Sequence, residues 1–184
     1  MHTRSVWSVL ILAGLTCAVT AVPALAQQHG GYVGPPVSTC PEIVVSSSEA
    51  PLQLSRNRFS AKGTTDLVFH VLFHGKMDKD HVITLKVYTP HGHLYQTLDV
   101  PAAPGKGKTP MGRRRLAGYP YPVRIVAPHT LKYENGVYDS IDVRFPVAGS
   151  TIETSSLYGK WKVEVLMDGA KHPCPHAVTF LIVP

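Results

Sequence analysis

Apolar and polar residues alternate with a period of two through most of the chain beyond residue 60, a pattern that predicts β-strands with one buried face. Leu67, Phe69, Val71 and Phe73 alternate with Val68, His70, Leu72 and His74, and Ile83, Leu85 and Val87 alternate with Thr84, Lys86 and Tyr88. Thr89-Pro90-His91-Gly92 then reads as a turn, because proline presets its own φ and glycine takes positive φ freely. A returning strand is expected over 93–100. Farther on, Ile141, Val143, Phe145 and Val147 alternate with Asp142, Arg144 and Pro146. The cleanest alternation sets Trp161, Val163, Val165 and Met167 against Lys160, Lys162, Glu164 and Leu166. It closes at Asp168-Gly169 and is followed by a strand over 176–183. Trp161, Val163 and Val165 are therefore expected to face inward with Phe145, Phe180 and Ile182. Beyond the first 26 residues nothing shows a helical stripe, and no internal repeat occurs. Short alternating strands separated by Gly/Pro turns imply an all-β fold, two antiparallel sheets packed face to face as a β-sandwich.

Three stretches break the alternation. Residues 6–22 form an unbroken apolar and weakly polar run after Arg4, and Ala24-Leu25-Ala26 follows the helix-breaking Pro23 with small residues where a signal peptidase accepts them. Residues 1–26 thus read as a secretory signal peptide; left uncleaved, the same run is a membrane anchor. Cys17 lies in this run, yet Gly14-Leu15-Thr16 lacks the large aliphatic residue that a lipoprotein signal places three positions before its cysteine. Residues 27–57, opening with a stretch rich in Gly, Pro and small polar residues, are expected to be a flexible leader tied down at Cys40. A single sandwich domain then occupies 58–184 and carries a long loop over 101–130. Pro101, Pro104, Pro110, Pro120, Pro122 and Pro128 leave that loop room for at most an edge strand near 123–126. Loops of this length inside a compact domain are uncommon and are often functional, so a binding surface is sought here first.

Cysteine usage and charge sharpen the picture. Removing the signal peptide leaves Cys40 and Cys174, and two lone cysteines in an oxidising compartment most simply pair with each other. No Cys-x-x-Cys pair points to a redox role. Of the formal charge of +6, the first 26 residues contribute only Arg4. The mature protein is moderately basic, which suits an anionic envelope or an acidic ligand, and solubility alone explains it equally well.

Phe145-Pro146-Val147-Ala148-Gly149-Ser150, Leu157-Tyr158-Gly159-Lys160-Trp161-Lys162-Val163-Glu164-Val165, Asp168-Gly169 and the final Phe180-x-x-Val183 resemble the last three strands of secreted bacterial immunoglobulin-like domains. In those domains a Gly-x-Trp or Gly-x-Tyr corner leads into a C-terminal hairpin. The resemblance implies an immunoglobulin-like antiparallel β-sandwich in an exported protein. It implies no particular activity, because such domains serve as spacers, adhesion modules and ligand binders alike.

Several constellations bear on chemistry. The segment Ala102-Ala103-Pro104-Gly105-Lys106-Gly107-Lys108-Thr109 fits a relaxed phosphate-loop pattern, but that chemistry needs a helix to begin there, and Pro110 and Gly112 follow instead. Stripped of the motif, the loop is a basic cluster of Lys106, Lys108, Arg113, Arg114 and Arg115. It reads either as a grip for phosphate, sulfate or carboxylate groups or as a solvated run of charge. Ten histidines are many for this length. His91 and His93 sit two apart, His172 and His176 bracket Cys174, and His70 and His74 share a strand face. Imidazole suits copper and zinc, yet a metal site needs three or four ligands that converge. Tyr119, Tyr121, Tyr158 and Trp161 offer aromatic surface for a sugar, with Trp161 on the apolar face where a core role fits better. No Gly-x-Ser-x-Gly elbow or His-Glu-x-x-His helix occurs.

These readings lead to a periplasmic or secreted, non-catalytic binding or structural module of the cell envelope, needing no cofactor. Its expected binding residues are Lys106, Lys108, Arg113, Arg114 and Arg115. The partner is expected to be an anionic envelope component or another envelope protein. Nucleic acid is not expected outside the cell, and membrane contact only through an uncleaved signal segment. The alternative is a periplasmic metal-binding protein that uses His91, His93, His172 and His176 for copper or zinc.

Overall fold

A computed structural model describes residues 40–50, 52, 57–105 and 112–184. The signal segment over 1–26, the leader over 27–39, Lys106 and Lys108 lie outside the described residues. The strands are β1 (Glu42–Ser47), β2 (Arg58–Ser60), β3 (Asp66–His74), β4 (His81–Tyr88), β5 (Leu94–Ala102), β6 (Arg113–Arg114), β7 (Val123–Arg124), β8 (His129–Tyr133), β9 (Gly136–Pro146), β10 (Gly159–Met167) and β11 (Val178–Val183). A single turn of helix, α1 (Thr151–Thr154), joins β9 to β10 and is capped by Ser150, whose hydroxyl accepts the Ile152 N–H. One sheet has the order β1-β3-β9-β8, all antiparallel; the other has the order β2-β11-β10-β4-β5; β6 and β7 form a separate ribbon.

The alternation that marks the strands also builds the core. Ile43, Val45, Phe69, Val71, Ile141, Val143 and Phe145 from the first sheet share one cluster with Leu85, Val87, Trp161, Val163, Val165, Phe180 and Ile182 from the second. Trp161, Val163, Val165, Phe145, Phe180 and Ile182 are all buried, as the period of two requires. Trp161 is closed in by rings: Tyr95 meets it edge-on with centroids 5.2 Å apart, Phe145 at 6.1 Å and Phe180 at 6.5 Å. Its indole N–H donates to the Leu157 carbonyl at 3.0 Å, so even its polar atom is satisfied inside. Cys40 and Cys174, with Cα atoms 5.6 Å apart, form a disulfide between the start of β1 and the β10–β11 connection.

The turns follow from backbone chemistry. Gly92 adopts φ 81, and its N–H returns to the Thr89 carbonyl at 2.9 Å, closing the β4–β5 hairpin. Asp168 and Gly169 adopt φ 53 and 72, the pairing a tight hairpin turn wants. Asp168 also clasps β4: its carboxylate accepts the Val82 N–H and pairs with the His81 imidazole, both at 2.8 Å.

Three features differ from the sequence-based expectation. The leader was expected to run to residue 57, yet Glu42–Ser47 is a full strand paired with β3 from Glu42↔Leu72 to Ser47↔Leu67. Its four central residues are all buried, so it shows no alternation to read. His129–Tyr133, whose first two residues fall in the expected loop over 101–130, is an edge strand of the first sheet. β2 runs parallel to β11, whereas the other strand pairs of the two sheets are antiparallel.

Candidate functional site

Between β5 and β8 the chain leaves the sandwich and returns, and its prolines decide how. Pro101 accepts the Val126 N–H at 2.9 Å and Ala103 donates to the Val126 carbonyl at 3.1 Å, which pins the returning chain to the end of β5. The loop that joins β6 to β7 turns at Gly118, with φ 83, and contains Pro120 and Pro122, so only two residues pair on each side. That short register puts Arg113 directly opposite Arg124, and Arg114 opposite Val123. Arg113, Arg114, Arg115 and Arg124 are all exposed.

Among the described residues no ion pair reaches these four guanidiniums. All twelve acidic residues of the chain lie among the described residues. Their ion pairs go to His70, His81, His129, Arg144 and Lys162, and none goes to the ribbon. From residue 101 to 130 the sequence contains no Asp or Glu. Like charges placed directly across a strand pair repel, so the Arg113–Arg124 register is unfavourable in itself.

Of the five cations picked out by sequence, Arg113, Arg114 and Arg115, consecutive along the chain, lie among the described residues. The structure adds Arg124, which sequence spacing had hidden because its place beside Arg113 depends on strand pairing. The aromatic residues separate by role. Tyr119 is tied down, its hydroxyl accepting the Asp99 N–H at 3.0 Å, while Tyr121 in the joining loop is 78% exposed. Trp161 is fully buried and Tyr158 packs against the core, so neither offers a platform.

The histidines scatter. His91 and His93 flank the β4–β5 turn and His172 and His176 lie on the β10–β11 connection, all four exposed. Among the described residues no group of three or more His, Cys, Asp or Glu side chains lies close enough to hold a metal ion. His70 is different, buried on the face of the first sheet turned away from the core. Its Nε2 lies 2.8 Å from the Ser46 hydroxyl and its Nδ1 2.8 Å from Asp142, which also accepts from Ser140 at 3.0 Å and lies 3.6 Å from His129. Burial pushes the Asp142 carboxyl up, but the His70 hydrogen bond, the charges of His70 and His129 and the Ser140 hydroxyl outweigh it and hold the group below the ordinary carboxylate value. The connectivity of hydroxyl, imidazole and carboxylate is that of an activated serine. Here the same bonds stitch β1, β3 and β9 together, and Ser46 is only 4% exposed.

No protein-family model, curated protein or solved structure matches this chain.

Proposed function

We propose that the chain is an exported immunoglobulin-like module of the cell envelope that binds an anionic partner through the arginine ribbon, without a cofactor and without catalysis. The observation that carries this reading is the set Arg113, Arg114, Arg115 and Arg124, all exposed and none matched by an acid of the protein. Arginine forks suit phosphate, sulfate and carboxylate groups, and a connection outside the core carries them at little cost to the fold.

The immunoglobulin-like part of the reading rests on strand order. β1-β3-β9-β8 and β11-β10-β4-β5 follow the order A-B-E-D and G-F-C-C′ of that sandwich. Tyr158 supports it: just ahead of β10 its hydroxyl reaches back toward the Glu153 carbonyl at 3.5 Å, as a tyrosine at the E–F corner does. On this reading the ribbon fills the C′-to-D connection. The chain departs from antibody domains in its disulfide, which joins Cys40 to Cys174 instead of linking the B and F strands. Export rests on the apolar run over 6–22 with Ala24 and Ala26, and the cysteine pair favours an oxidising compartment, periplasmic or extracellular.

The test is a pull-down from native envelope with the mature protein and with the Arg113→Gln/Arg114→Gln/Arg115→Gln variant. The wild type is expected to retain a partner that the variant loses. Retention of the same partner at the same salt tolerance would move the binding surface elsewhere.

A further inference from the structure

Directly opposed residues on paired strands carry their Cβ atoms about 4.5–5.5 Å apart, so the Arg113 and Arg124 guanidiniums either splay away from each other or share an anion between them. Among the described residues no carboxylate pairs with either guanidinium. Two guanidiniums bring two positive charges and two flat forks of N–H donors. A carboxylate or a sulfate ester brings one negative charge, which leaves one fork unneutralised. A phosphate monoester brings about −1.5 to −2 charge and three terminal oxygens, enough to accept from both forks at once.

We infer that Arg113 and Arg124 form a two-fork receptor for a single phosphate monoester group, with Tyr121 offering aromatic surface to whatever carries the phosphate. This rests on the anion-binding reading of the ribbon and narrows it to one chemical class. Arg114, opposite Val123, points its alternation to the other side of the ribbon and lies outside this pair. Tyr121 is 78% exposed and belongs to the loop between the two strands, three residues before Arg124, which faces Arg113.

The experiment titrates mature protein with glucose 6-phosphate, glucose 6-sulfate, glucuronate and inorganic phosphate, and follows the arginine side-chain N–H resonances by NMR. Glucose 6-phosphate is expected to shift the Arg113 and Arg124 signals at about tenfold lower concentration than the sulfate or the uronate, the margin set by one extra charged fork. Its affinity should fall as pH drops below about 6, where the monoester loses its second charge. Arg124→Gln should weaken the phosphate by about tenfold, whereas Arg114→Gln should leave it within about twofold. Tighter binding of the sugar ester than of inorganic phosphate, abolished by Tyr121→Ala, marks a carried phosphate as the ligand; equal binding marks the free ion. Equal response to phosphate, sulfate and uronate, or an Arg124→Gln variant that binds like wild type, overturns the receptor. If envelope binding nevertheless disappears with Arg113, Arg114 and Arg115, the wider reading stands; if no anion and no envelope fraction binds, both fail.

Discussion

Trp161 shows how much a single residue carries. It is fully buried, bounded by Tyr95, Phe145 and Phe180, and hydrogen-bonded to Leu157. Trp161→Ala should cost roughly 3–5 kcal/mol, read as a lower urea midpoint at unchanged slope, and a loss below about 1 kcal/mol would contradict the strand register. Asp142 makes a second prediction at this scale. Because its folded pKa lies below the unfolded value, its contribution is present in full above about pH 4 and disappears as pH falls through the folded value. Asp142→Asn should therefore lower stability at neutral pH and make the acid limb shallower; an acid limb as steep as wild type would contradict it. The inward Trp161 was legible because its neighbours alternate cleanly. The buried His70 was not, since it occupies an outward polar position and its partners Ser46 and Asp142 lie 24 and 72 residues away.

Elements reveal where pattern reading stops. β3, β4, β9, β10 and β11 each bury one face deeply enough to leave a period of two, and all were legible to within a few residues except at the start of β9. β1 buries both faces and reads as a featureless apolar run. β8 lies at a sheet edge with little buried, although Asn135-Gly136 marked its hairpin in the sequence. The ribbon was legible as composition and not as geometry: proline and glycine mark a loop, while the register that faces Arg113 with Arg124 is a property of pairing. The disulfide was readable by elimination once residues 1–26, with Cys17, are set aside. Joining positions 134 residues apart, it restricts most of the unfolded chain. Cys40→Ser/Cys174→Ser should lose on the order of 4–5 kcal/mol in the chain-entropy model. Non-reducing peptide mapping of the exported protein should recover the two cysteines in one linked species, and recovery of both as free thiols would contradict the bridge.

At the scale of the whole molecule, the core and the proposed binding surface occupy different parts of the chain. The core cluster draws on both sheets and on none of the residues of β6 or β7, while Arg113, Arg114 and Arg124 sit on that ribbon with Arg115 beside it. Replacing its arginines should therefore leave stability unchanged or slightly raised, since it removes a like-charge pair from exposed positions outside the core. Attraction to an anionic partner should weaken with salt, because exposed charges are screened beyond roughly 8–10 Å at physiological ionic strength. The most direct measurement is co-sedimentation of the mature protein with native envelope fragments across a salt series, for wild type and for Arg113→Gln/Arg114→Gln/Arg115→Gln, with unfolding curves recorded on the same samples. The account predicts binding by the wild type that falls steadily with salt, binding by the variant weaker by about tenfold or more, and superimposable unfolding curves. A variant that sediments as well as the wild type, with the same salt dependence, would contradict it.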